Sequence, residues 1–208
     1  LIRIWYNPDL TTSGFIVLSM IALAGMMVGV IHPAASIVRE KERGTLEQLL
    51  VAPISTFQLF LAKIAPTMII GLLAVFPSLL IVRAFDVPMR GSLALFLILT
   101  GFFLLSAVAL GVLIAAYSRT LQQALLLSFF GLFPVMFLSG TLTPVEAMPD
   151  VLQALSRLSP LRYYMDIIIG VFLKGVGWRD LWDESLCLIA IAIPMLILSL
   201  GIFRRRLQ

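Results

Sequence analysis

Charge is scarce in this sequence. Asp, Glu, Lys and Arg make up 12% of its 208 residues, against 61% hydrophobic residues. Soluble domains carry roughly 25% charged residues and about 45–50% apolar ones. So little polar surface cannot face water on all sides, which excludes a soluble enzyme or binding domain and leaves lipid as the solvent. The single cysteine, Cys187, excludes an internal disulfide, and its apolar neighbours predict a small core hydrophobe. No GxxxxGK[ST], no GxGxxG after a strand, no HExxH and no CxxC occurs. The one histidine, His32, precedes Pro33 inside an apolar run. Intramembrane proton relays use partnered ionisable groups, and no acidic residue lies in any of the spans drawn below. His32 therefore reads as a residue near the end of a kinked helix, and no catalytic or metal-binding constellation is legible.

A bilayer core about 30 Å thick takes about 20 helical residues to cross. Five runs satisfy this, at about 13–38, 59–82, 93–116, 124–142 and 185–203. None alternates with the period of a barrel strand, so the expected fold is an all-α membrane protein, a polytopic bundle of about five transmembrane helices. The opening "LIRIWYNPDL" carries no signal-peptide pattern. The expectation is a single transmembrane domain over 1–208 that forms the C-terminal part of a longer chain. Arg39, Lys41, Arg43, Lys63, Arg119, Arg204, Arg205 and Arg206 collect on the short loops of one side. The remaining Lys and Arg residues spread over longer segments on the other side. The net charge of +4 thus comes from residues flanking spans rather than from a nucleic-acid surface. By the positive-inside rule residues 39–58 and the C-terminus are expected to be cytoplasmic.

The segment 141–184 then lies on the opposite side. It holds Pro144, Pro149 and Pro160 and two short helical periodicities, Val151, Leu155, Leu158 and Met165, Ile168, Ile169, Phe172. Neither piece is long enough to span. A re-entrant or interfacial helical hairpin packed on protein is expected, with a solvated loop as the alternative. Trp178 and Trp182 suit the membrane interface before the last span. Gly25 and Gly29 form a GxxxG, and Ala107, Gly111 and Ala115 a row of small residues, patterns that permit close helix packing but arise readily by chance in glycine-rich spans.

The most polar run, "REKERGTLEQLLVAPIS" at 39–55, sits between two apolar spans. Gly44 permits a sharp turn. Thr45 and Gln48 fit a capping box, with Glu47 favouring the helix N-terminus. Leu46, Leu49 and Leu50 recur at i, i+3, i+4, and Pro53 stops the helix by disfavouring helical geometry at Ala52. A two-turn amphipathic helix is too short to be stable alone. It either lies on the lipid surface, packs under the bundle, or plugs into a partner.

This run resembles the cytoplasmic loop of ABC type-2 transporter permeases, whose pattern is close to V-R-E-x-E-x-G-T-x-E-x-L-x-x-x-P. The matching residues are Val38, Arg39, Glu40, Glu42, Gly44, Thr45, Glu47, Leu49 and Pro53. The later "LSGTLTPVEAMPDVLQALSRLSPLRYYMD" is similar to the family's external hairpin, and in detail the sequence is similar to the multidrug-efflux branch of bacterial inner-membrane permeases. The resemblance implies a permease subunit of an ATP-binding cassette exporter moving a drug, lipid or glycolipid. It implies a separate ATPase subunit holding ATP and Mg, a second permease subunit as homo- or heterodimer partner, and no cofactor on this chain. Glu42, Arg43, Gly44, Thr45, Leu46, Glu47, Leu49, Leu50 and Pro53 would form the ATPase-contacting coupling helix. Met26, Met27, Phe129, Phe133 and Phe137 are candidate contacts along a translocation path. The alternative is a non-transporting membrane anchor that docks a cytoplasmic partner through the same loop.

Overall fold

A computed structural model describes residues 13–45, 55–141 and 145–207, and among these it is helical without a strand. In chain order the helices are α1 (Ser13–Glu42), α2 (Thr56–Leu73), α3 (Val75–Ala84), α4 (Leu93–Tyr117) and α5 (Leu121–Leu138). A 3-10 turn (Val145–Ala147) and two short helices follow, α6 (Asp150–Ser156) and α7 (Pro160–Ile169), then a π-helical turn (Gly170–Lys174) and α8 (Trp182–Leu207). Five helical stretches are long and apolar enough to cross a membrane, with α2 and α3 acting together as one.

Local chemistry moves several expected boundaries. The second span is two helices rather than one. Pro77 has no N–H for the Leu73 carbonyl, so the chain breaks at Ala74, and the Ser78 hydroxyl donates to the Ala74 carbonyl at 2.8 Å. α2 begins at Thr56 because Ser55 and Gln58 form a reciprocal capping box, with bonds of 3.2 and 2.9 Å. α5 runs over Leu121–Leu138 instead of 124–142, started by the Thr120 hydroxyl accepting from the Gln123 N–H at 3.2 Å. α8 starts earlier than expected, with Asp183 and Glu184 in its first turn, where the helix dipole favours them. Cys187 is exposed rather than a core residue. It stands on an outer face of α8, where lipid can solvate a thiol as readily as a protein core.

α4 is the axis of the bundle and packs on α1, α2, α7 and α8. Its contact with α1 depends on residues without side-chain bulk. A Cβ on Gly29 would stand 2.6 Å from the Ala107 Cβ, and one on Gly111 would stand 2.3 Å from the Val30 carbonyl oxygen and 2.7 Å from the Pro33 ring. The GxxxG of α1 and the small-residue row of α4 therefore face each other, and Gly111 makes room for the proline inside α1.

The expected hairpin packs on the bundle only in its second half, whereas Val151, Leu155 and Leu158 of the first half are exposed. α7 wedges between α1, α4 and α8 with Leu161, Tyr164, Met165, Ile167 and Ile168 buried. The Tyr164 ring stacks on Phe103 at 4.0 Å, and its hydroxyl meets Thr100 Oγ1 at 3.0 Å. Burial pushes this phenol above the usual tyrosine value. Phe172 sets its edge on Phe96 at 5.0 Å. The Gly91 N–H donates to the Val171 carbonyl at 2.9 Å, in a gap where a Cβ would come within 2.7 Å of that oxygen. One end of the bundle is therefore closed by the hairpin. The other carries Arg39 to Arg43, Lys63 and Arg119 and is called the basic end below.

Candidate functional site

The charged run that reads as a loop is the last turn of α1, which stays helical to Glu42. Successive helical residues point about 100° apart, so Glu40, Lys41 and Glu42 face three different neighbours. Glu40 forms an ion pair with Lys63 of α2. Lys41 donates its ammonium to the Ala115 carbonyl near the C-terminus of α4. Glu42 accepts the Leu121 N–H at 2.8 Å, the first residue of α5. Both of the latter contacts have the sign that a helix dipole favours, a cation at a C-terminus and a carboxylate at an N-terminus. The second oxygen of Glu40 is buried and has no partner among the described residues. Losing Lys63 would therefore strand a carboxylate already short of hydrogen bonds.

Gly44 then turns the chain. Its φ of 69° lies in the left-handed region, and its N–H closes on the Lys41 carbonyl at 3.1 Å. The Thr45 hydroxyl donates back to the Glu40 carbonyl at 3.3 Å. Leu46, Glu47, Gln48, Leu49, Leu50 and Pro53 lie outside the described residues. Of the coupling-segment candidates, the described ones are thus Glu42 and Arg43, both exposed, with Gly44 and Thr45 at the turn.

Beside this turn a groove of about 710 Å³ opens between α1, α2 and α5. Met27, Val28, Ile31, Ile70 and Leu125 give it apolar walls, and His32, Ser36, Arg39, Glu40 and Arg43 line its charged end. His32 Nδ1 lies 2.8 Å from the Thr67 hydroxyl, so α1 and α2 are bridged by a polar pair at the depth of the spans. Of the two candidate methionines, Met26 is 1% exposed in the core and Met27 is 37% exposed on the groove. One residue of helical rotation separates them, so of the two only Met27 reaches the groove. Phe129, Phe133 and Phe137 are about half exposed, at 55, 52 and 46%. With Leu125 they form one row at four-residue spacing along α5, and the Phe133 and Phe137 rings lie 5.2 Å apart. The row starts at the groove and leads away from the basic end.

Sequence reasoning missed the contacts of Lys41 and Lys63, and it missed the His32–Thr67 pair. A signal was present for Lys63, since a lone lysine inside an apolar span calls for a counter-charge. Nothing pointed to its partner 23 residues away.

Residues 3–200 match the family model described as ABC-2 family transporter protein. The chain is 36% identical over 211 aligned residues to the probable multidrug ABC transporter permease YbhR of Escherichia coli (strain K12), covering 100% of this chain and 56% of that protein. It is 32% identical over 208 residues to the probable multidrug ABC transporter permease YbhS of the same organism, covering 99% and 55%. To the inner membrane transport permease YhhJ, also of that organism, it is 29% identical over 205 residues, covering 98% and 55%. The chain spans about half the length of these curated relatives.

Proposed function

The chain belongs to the ABC-2 transporter family, and from that premise we propose that it is the permease part of an ATP-binding cassette exporter driven by a separate ATPase subunit. In this reading the segment from Thr45 to Pro53 is the coupling helix. Leu46, Leu49 and Leu50 seat in a groove of the ATPase as i, i+3, i+4 anchors. Glu47 supplies charge at the rim, and Glu42 keeps one carboxylate oxygen on α5. ATP and Mg belong to that partner. The excess of Lys and Arg on the short loops sets the basic end in the cytoplasm of a bacterial inner membrane.

The observation that carries the reading is the three-way grip of Glu40, Lys41 and Glu42. A push on the coupling helix reaches α1 through Gly44 and Thr45. The grip passes it at once to α2, α4 and α5. ATP closes two cassettes only because it binds the closed state better, and two permease halves are needed to enclose a path. A second permease subunit, identical or related, then faces the open side of α1 and the phenylalanine row of α5. Met27, Phe129, Phe133 and Phe137 line that path as soft contacts for an amphipathic substrate.

The test is co-reconstitution of the full-length permease with its ATPase. The proteins should co-purify, and a fluorescent amphipathic dye should accumulate in inside-out vesicles when ATP is added. Partner binding without any ATP-dependent movement, across drug-like and lipid-like dyes, would make the protein an anchor instead.

A further inference from the structure

Resting on the permease reading, we infer that the groove at the basic end takes an amphiphile with an anionic, phosphate-type head group, drawn tail-first from the adjoining bilayer leaflet. The cavity is of the size that holds small ligands, about 300–1,000 Å³, and it does not end in a wall. Val28 lines both this groove and the next cavity along α1, and Ile21, Ala24 and Ser78 line both that cavity and a third. Together they make one seam between α1 and the α2–α3 pair. The seam is mostly apolar, with Ser78, Thr100 and Tyr164 as its polar side chains away from the basic end, and it carries charge only at that end, which is the layout of an amphiphile.

The sign of the head group follows from what the charges are already doing. Arg39 and Arg43 stand one helical turn apart at the mouth, and neither has an ion-pair partner among the described residues. Glu40, the acid lining the groove, is committed to Lys63. Among the described residues the mouth therefore presents two guanidinium groups without an ion-pair partner, whose planar forks suit phosphate oxygens. A cationic amphiphile would meet like charge there. His32 lines the groove deeper, and the seven residues from Arg39 put it about 10 Å further along the helix. Held from behind by the buried Thr67, it is placed to meet the polar linkage between head and tail. Arginines that merely flank a span snorkel into water away from apolar surface. These two line the same cavity as Met27, Val28 and Ile31.

The test uses the full-length permease in phosphatidylcholine vesicles, with Ile31→Trp as a reporter in the groove. A minor fraction of either brominated phosphatidylglycerol or brominated phosphatidylcholine serves as quencher. The anionic lipid should quench at a roughly tenfold lower fraction, a factor of ten being about 1.4 kcal/mol. The pair Arg39→Gln and Arg43→Gln should abolish this preference, and the pair Arg39→Lys and Arg43→Lys should keep most of it. Equal quenching by both lipids, or a preference that survives the glutamine pair, would overturn the inference. A parallel assay follows ATP-driven movement of fluorescent phosphatidylglycerol and of a neutral dye in the wild-type complex. Transport of the neutral dye alone would sink the anionic substrate class and leave the permease reading standing. A lipid preference with no ATP-driven movement of either probe would remove the substrate role and the permease reading together.

Discussion

Gly111→Ala, one methyl group on the central helix, should leave little folded protein in the membrane. The added Cβ would lie 2.3 Å from the Val30 carbonyl oxygen, and neither that backbone nor the Pro33 ring at 2.7 Å can swing aside. Relief requires α1 and α4 to part by about 1 Å, and a gap of that size forfeits about a quarter to a half of each dispersion contact along the seam. Lipid tails are as apolar as leucine, so packing rather than hydrophobic burial holds transmembrane helices together. The gain from alanine's better helix propensity, about 1 kcal/mol, is smaller than a typical overpacking penalty of roughly 1–3 kcal/mol, and a clash with backbone lies at the upper end. Gly101→Ala in the same helix is the control, because a Cβ there meets nothing within 4 Å. Thermal unfolding in detergent should show a large loss for Gly111→Ala and no loss for Gly101→Ala. Equal behaviour of the two would refute the close crossing.

Lys63→Leu should destabilise the protein by about 2 kcal/mol, somewhat below the 3–5 kcal/mol seen when a fully buried pair is broken. The discount reflects partial exposure, 15% at Lys63 and 27% at Glu40. The cost arises at the partner, since Glu40 would retain its charge with both oxygens unpaired, one of them buried. Adding Glu40→Leu removes the stranded charge and should recover most of the loss, because replacing both members of such a pair by apolar groups is often neutral. The double-mutant cycle isolates the pair. Recovery of stability without recovery of ATP-driven transport would assign the pair to transmission of motion. A double variant as unstable as Lys63→Leu alone would show that the cost came from elsewhere.

Five spans and two short helices before the last of them were legible because length and proline spacing are local properties, although only the second short helix packs. The turn at Gly44 was legible too. What failed is what lipid erases. In water, a helix reveals its inner face by alternating apolar and polar residues, but in a bilayer both faces are apolar. Cys187 and the Met26–Met27 pair were therefore assigned without a usable period. The break at Ala74 and the capping box at Ser55–Gln58 were visible as residue types, yet the unbroken apolar run around them outweighed both. The GxxxG of α1 and the small row of α4 are unremarkable separately and decisive only as a facing pair, which neither stretch encodes. The grip at the end of α1 was hidden for a related reason. Its bonds join residues far apart in the chain, 23 positions for Glu40 and Lys63 and 79 for Glu42 and Leu121.

The central claim is that the segment after Gly44 couples a partner's ATP hydrolysis to these spans. Leu49→Asp in the full-length permease, co-expressed with its ATPase, tests it most directly. An aspartate at the middle anchor of an i, i+3, i+4 stripe puts a charge where a groove expects a leucine. Membrane insertion should be unchanged, while ATPase co-purification and ATP-driven transport are lost. Undiminished ATPase association in a variant carrying both Leu49→Asp and Gly44→Pro would contradict the account.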